Sequence, residues 1–191
     1  MIKNQFGRSM VEMIGVLAIV GILSVGAIAG YSSAMEKHKL NKYTTDINMM
    51  IMNLRILQAE QKTLTAIKND YFVPKSLHSD YNRYKNSTTF PDKYGNSWGN
   101  NTYGFYVRIG GSVSSKERET AIKRTCPIII QAGVDMQMKK MSLSHQKGSA
   151  SICAEKNCTY KPNQLTLEKI NEFCDIILNA QNADAILYFS S

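Results

Sequence analysis

The sequence holds little that an enzyme would use. Among its 191 residues there is no P-loop, no dinucleotide-binding glycine fingerprint and no metal-binding repeat. Histidine is scarce: His38, His78 and His145 are scattered through polar segments near no obvious nucleophile or carboxylate, and each is expected to be exposed. We therefore read the chain as a non-enzyme with no catalytic residue, no metal and no cofactor. Cysteine is missing from the first 125 residues, and the four that follow, Cys126, Cys153, Cys158 and Cys174, lack the paired C-x-x-C spacing of a zinc site. Acidic residues are few as well, 15 against 23 lysines and arginines, for a net charge of +8. That surplus favours acidic surfaces or nucleic acid weakly, and a charged assembly surface explains it as well. The length allows one ordinary domain plus an appendage but not two sizeable cores.

What is present is concentrated at the start. From Met10 to Tyr31 the chain has one charged side chain, Glu12, and is otherwise apolar or small, over about the length a bilayer-spanning helix needs. Lys3 is the positive flank that would stay cytoplasmic, which exports everything after Tyr31. A secretory signal peptide requires a shorter apolar stretch ended by a small-residue cleavage site. Ala27-Ile28-Ala29 offers such a site, but the run is too long, carries a carboxylate near its start, and continues as helical sequence to about Leu64. A plain membrane anchor explains the length but not Glu12. An ionised carboxylate inside an apolar span costs a few kcal/mol, so one that persists has a partner or a function.

The stretch Gly7-Arg8-Ser9-Met10-Val11-Glu12-Met13-Ile14-Gly15-Val16-Leu17 and the apolar run after it resemble the class III signal of type IV prepilins. The resemblance covers about the first thirty residues. In that family a membrane peptidase cuts after the glycine and methylates the new amino terminus, which implies cleavage between Gly7 and Arg8 and N-methylation of Arg8. It also implies that Glu12, at the fifth mature position, pairs with the terminal amine of a neighbouring subunit during assembly. A buried carboxylate becomes tolerable once a cation is delivered beside it in low dielectric. Two departures stand out. The first mature residue would be Arg8 where the family usually has Phe or Met, and its guanidinium can also reach Glu12 at i+4, in the weaker orientation for such a pair. Many pilins carry a proline well along the span, where this chain has Ala29. It has glycines instead, Gly15, Gly21, Gly26 and Gly30, of which Gly26 and Gly30 form a G-x-x-x-G that lets helices approach closely.

Beyond the span, Leu40, Tyr43, Ile47, Met50, Leu54 and Leu57 recur at three- and four-residue steps, an amphipathic stripe suited to packing on a domain. The expected layout is a leader at 1–7, a transmembrane and polymerisation helix at 8–31, the amphipathic half of the same spine helix at 32–64, and a globular head at 65–191. Within the head, 65–101 reads as a long loop. Its aromatics, Tyr71, Phe72, Tyr81, Tyr84, Phe90, Tyr94 and Trp98, either pin that loop to the domain or form a stacking surface for single-stranded nucleic acid beside Lys68, Lys75, Arg83 and Lys85. The first reading is preferred. Residues 102–191 read as strands at Tyr103–Ile109, Met136–Ser144, Ala150–Ala154 and Ala185–Phe189. They also contain a helix capped by Ser114 or Ser115 and running toward Gly133, with Pro127 as a bend or break, and a helix Leu167–Ala180 capped by Thr166. Leu167, Ile170, Phe173 and Ile177 share one face of it. The fold class is α+β, a long spine helix packed on a small head with an antiparallel sheet, which is the pilin layout.

In an oxidising compartment the four cysteines suggest two disulfides, for which three connectivities exist. Cys153 and Cys158 could close a local loop, leaving Cys126 and Cys174 to tie one helix to the other. In pilins a C-terminal disulfide commonly staples the variable part of the head, the role the resemblance implies for Cys126–Cys174. The resemblance further implies self-association into a pilus or fimbrium. The partners would be the prepilin peptidase and the inner-membrane assembly machinery. The head would lie in the periplasm before assembly and at the cell surface after it. Rival readings are a minor pilin or pseudopilin of a secretion or DNA-uptake system, or a membrane-tethered adhesin.

Cleavage after Gly7 is directly measurable. Intact-mass analysis of membrane-extracted protein should show the loss of Met1–Gly7 and one added methyl on Arg8. A full-length mass in the presence of an active prepilin peptidase would overturn the resemblance.

Overall fold

Helix α1 runs without interruption from Arg8 to Ala59, 52 residues and about 78 Å at 1.5 Å per residue. No proline precedes Pro74, so every interior residue keeps its N–H. Gly15, Gly21, Gly26 and Gly30 each weaken the helix by about 1 kcal/mol relative to alanine, yet it passes through all four. The computed structural model describes residues 8–60, 68–101, 104–135, 140–145, 148–153, 157–179 and 186–190. They divide into two units, Met1–Lys42 and Tyr43–Ser191.

The described part of the first unit is α1 alone. Its large apolar side chains are bare, from 52% exposed at Val20 to 75% at Ile22, and the helix is long and apolar enough to cross a membrane.

In the second unit the same helix changes character. Tyr43, Ile47, Met50, Ile51 and Leu54 are buried, a stripe that faces one core shared with strands and two further helices. The sheet has six antiparallel strands: β1 (Thr89–Pro91), β2 (Ser97–Asn101), β3 (Gly104–Arg108), β4 (Lys140–His145), β5 (Gly148–Cys153) and β6 (Ile186–Ser190). Their order is β1-β2-β3-β6-β4-β5. The last strand thus lies in the middle of the sheet, pairing Tyr188 with Tyr106 of β3 and with Ser142 of β4. A short helix, α2 (Tyr81–Tyr84), precedes β1, α3 (Ser115–Asp135) follows β3, and α4 (Leu167–Asn179) precedes β6. The fold is α+β, with an antiparallel sheet and a long N-terminal apolar helix.

Both outer strands of this sheet are covered over part of their length. Beside β1, Ser79 N donates to Pro91 O at 3.1 Å and Lys93 N to Leu77 O at 3.2 Å, around a bridge between His78 and Asp92. Beside β5, Cys153 N donates to Tyr160 O at 3.2 Å and Tyr160 N to Ser151 O at 2.9 Å. Exposed edges invite strand addition, and here non-strand segments occupy them.

Several expectations need correction. Segment 65–101 is not a long loop: its described part contributes α2, β1 and β2. The strands were hidden because β1 is only three residues and β2, Ser-Trp-Gly-Asn-Asn, shows no apolar alternation. Pro127 does not divide the segment into two helices, and α3 continues through it to Asp135. The interior proline costs about 3 kcal/mol, and burial of Cys126, Ile129 and Ile130 on either side offsets it. Leu167 is 69% exposed rather than on the buried face of α4, where Cys174 takes its place with Ile170, Phe173 and Ile177. The continuation of α1 to Leu64 and the strand positions Tyr103, Met136, Ala154 and Ala185 fall outside the described residues. Thr166 does cap α4, its Oγ1 accepting from Lys169 N at 3.3 Å. Ser114 rather than Ser115 precedes α3, its carbonyl accepting from Arg118 N at 3.0 Å.

Cys126 is bonded to Cys174, joining α3 to α4, and Cys153 to Cys158, with Cα separations of 5.9 and 5.6 Å. The loops they close span 48 and 5 residues. Loop entropy then assigns about 4 kcal/mol to the first bond and about 2 kcal/mol to the second. Denaturant titration of Cys126→Ser/Cys174→Ser should therefore show about twice the stability loss of Cys153→Ser/Cys158→Ser. Equal losses would contradict this ranking.

Candidate functional site

Two features stand apart from ordinary core packing. The first is the start of α1. The Gly7–Arg8 junction and the Arg8 side chain lie outside what the structure describes, while Arg8 itself is the first residue of the helix. Glu12, one turn on, is exposed amid Met10, Val11, Met13, Ile14 and Val16, which are 60–74% exposed. It has no hydrogen-bond or ion-pair partner among the described residues. At Gly15, Gly21, Gly26 and Gly30 an added Cβ would meet nothing within 4 Å. These glycines make no close approach within the chain itself.

The second feature was not foreseen. Asp92, 3% exposed, sits at the start of the β1–β2 turn and receives five hydrogen bonds. Its Oδ1 accepts from Tyr94 N at 2.8 Å and Asn96 N at 2.9 Å. Its Oδ2 accepts from Tyr43 OH at 3.0 Å, Asn96 Nδ2 at 2.9 Å and Trp98 Nε1 at 2.8 Å. Asn96 extends the network: Nδ2 also donates to Tyr43 OH at 2.9 Å, while Oδ1 accepts from Gly110 N at 3.0 Å and Thr125 Oγ1 at 3.1 Å. The spine helix, the β1–β2 turn, β2, the β3–α3 turn and α3 thus meet at two polar side chains. Two glycines make the turns feasible, Gly95 at φ +96° and Gly110 at φ +70°, both in the left-handed region that disfavours a side chain.

Burial raises the Asp92 carboxyl above its ordinary value, and the bonds from Trp98, Asn96 and Tyr94 pull it back down. Every neighbour that contacts it is a donor, the pattern that suits an ionised acid. Burial, followed by the Asp92 charge, pushes the Tyr43 phenol well above its usual range, so it stays a proton donor. The turn sequence Pro91-Asp92-Lys93-Tyr94-Gly95-Asn96 reads as solvent-facing, which is why the network escaped notice. Its only trace is an aspartate four residues before an asparagine, with a glycine between.

The aromatics of this region serve mainly as core. Phe72, Phe90 and Trp98 are at most 1% exposed, with Phe105 stacked on Trp98 at 5.6 Å and edge-on to Phe72 at 5.6 Å. They present no face for a base to stack on, unlike Tyr71, which is 71% exposed. Lys75 lies 5.0 Å from the Tyr81 ring centroid and Arg83 5.4 Å from that of Tyr84. His78, expected on the surface, is 2% exposed. An open cleft of about 660 Å³ lies between the β1–β2 turn and α3, with Lys93, Lys116, Arg124 and Glu117 around it. No cluster suited to a metal ion occurs among the described residues.

The Asp92 network is expected to dominate head stability. Each orphaned buried donor costs about 1–3 kcal/mol. Tyr43→Phe should thus lose about 1–2 kcal/mol, and Asp92→Ala, which takes the acceptor from both Trp98 Nε1 and Tyr43 OH, about 4 kcal/mol. The only tryptophan, Trp98, makes fluorescence-detected denaturation a direct readout. An Asp92→Ala loss no larger than that of Tyr43→Phe would disprove the ranking.

No protein-family model, no curated protein and no solved structure matches this chain.

Proposed function

We propose that the chain is a prepilin, a structural subunit that polymerises through α1 into a type IV pilus-like filament after cleavage between Gly7 and Arg8. The observation that carries the reading is one helix with two surroundings. Its first turns are bare, apolar and interrupted only by Glu12, whereas from Tyr43 onward it is built into a disulfide-bonded head. Its resemblance to the prepilin signal, on Gly7, Arg8 and Glu12, supplies the assignment of roles. Before assembly the bare segment would rest in the inner membrane with the head in the periplasm, and in the filament it would pack against other copies. The covered edges of β1 and β5 oppose growth by strand addition. Met49, Met52 and Ile56 add a further exposed apolar strip on the head portion of α1, 47–51% exposed and spaced i, i+3, i+7. It suits contact with a second copy.

In this reading Glu12 is neutralised by the amine of an incoming subunit. Removing one member of a desolvated pair costs roughly 3–5 kcal/mol, and the loss recurs at every addition. Glu12→Ala and Glu12→Gln should leave the protein exported, trimmed and membrane-retained, with no filaments in electron micrographs of the sheared surface fraction. A simple tether responds oppositely, since losing a charge that costs about 3 kcal/mol in the bilayer is neutral or favourable. Normal filaments from Glu12→Ala would reject the proposal.

A further inference from the structure

Segment 72–80 is pinned on two sides. Toward α1, Asn53 Nδ2 donates to Phe72 O at 3.1 Å and Ser76 Oγ to Asp46 Oδ1 at 2.8 Å. Toward β1, Ser79 N and Ser79 Oγ both donate to Pro91 O, at 3.1 and 3.0 Å, and Lys93 N donates to Leu77 O. His78 lies at the centre of this second contact. Its ring packs on Phe90 at 4.5 Å and edge-on to Tyr81 at 5.3 Å. Nδ1 and Nε2 are both buried without a hydrogen-bond partner among the described residues. Buried polar groups are nearly always paired, so two orphaned nitrogens on one side chain call for a reason. The neutral ring leaves one N–H donor unpartnered, whereas the imidazolium would leave two and bury a charge as well.

We propose that His78 is an acid-sensitive latch on the sheet: protonation of its imidazole drives segment 77–79 off β1 and bares Pro91 O and Lys93 N as an open strand edge. Asp70, from the turn before the segment, favours the charged ring, but its Oδ1 already accepts from Tyr81 OH at 2.8 Å. Lys93, from the β1–β2 turn, opposes it. Asp92 is committed to its five donors, Asp46 of α1 accepts from Ser76, and Lys75 stands over the Tyr81 ring. Asp80 accepts from Arg83 N at 3.2 Å in the first turn of α2. Burial, the largest influence, holds the His78 ring below its ordinary value.

The direction follows from linkage. The latched state binds the proton less readily than the released state, in which the ring titrates near its free value of about 6.5. Release is therefore favoured as pH falls below that value, and latching is restored as pH rises. If the latched form stays unprotonated, the opening constant grows about thirtyfold between about pH 7.5 and about pH 5. Hydrogen exchange on the full chain in detergent micelles, corrected for intrinsic rates, measures this at the Ser79 and Lys93 amides. Protection there should fall by up to about thirtyfold at the lower pH while the β3, β4 and β6 amides keep theirs. His78→Phe and His78→Gln should both abolish the pH dependence, and the glutamine variant alone decides the matter if the phenylalanine variant does not fold. Unchanged wild-type protection would overturn the latch. So would an equal loss in the variants, which would assign the effect to a carboxylate, or a simultaneous loss across all strands.

Discussion

The Asp92 carboxylate organises the head. Five elements spread between Tyr43 and Thr125 converge on it and on Asn96, and each contributes a donor that would be costly to bury alone. Tyr43 and Thr125 are 82 residues apart in number, yet the first reaches Asp92 and the second Asn96 within 3.1 Å. An apolar core of similar volume would hold these elements together, but many rotations of α1 and α3 would satisfy it. Directional bonds to a fixed carboxylate select one arrangement, because a misplaced α1 leaves the Tyr43 phenol without its acceptor and the carboxylate one donor short in low dielectric. Trp98, Tyr43 and Tyr94 serve this network and the hydrophobic core at once, with the two tyrosine rings 4.3 Å apart.

Helix α1 links two kinds of solvation. From Tyr43 on, one stripe of it is removed from water by the head, and folding of the head fixes those turns. In the turns before Lys42 the large apolar side chains from Met10 to Tyr31 are exposed. Apolar surface left bare is unfavourable in water, so the same covalent helix joins turns that the head buries to turns that lipid or other protein would stabilise. In the proposed filament Glu12 would sharpen that dependence, because lipid disfavours an ionised carboxylate and a cationic neighbour compensates it.

Covering both sheet edges complements this division. The Cys153–Cys158 bond ties the residue before Thr159 and Tyr160 to the end of β5, where Thr159 Oγ1 also accepts from Ser151 N at 3.1 Å. The opposite edge relies on packing and hydrogen bonds around His78, with no covalent tie. One edge is thus locked by oxidation and the other by desolvation, and the two closures respond to different conditions.

What the sequence determined by itself was whatever depends on local pattern: the uninterrupted apolar run with one carboxylate, the three-and-four stripe of α1, the cap at Thr166, and the α+β class. These are legible because helix periodicity and capping are set by residues within a turn or two of each other. Tertiary structure alone decided the rest. It placed β6 in the centre of the sheet, made strands and core of the described part of 65–101, kept α3 whole through Pro127, and buried His78. It also made Asp92 the centre of the head, although its local sequence is that of an ordinary surface turn. Whether a polar side chain faces water or five donors depends on what distant segments bring to it, and no local spacing encodes that.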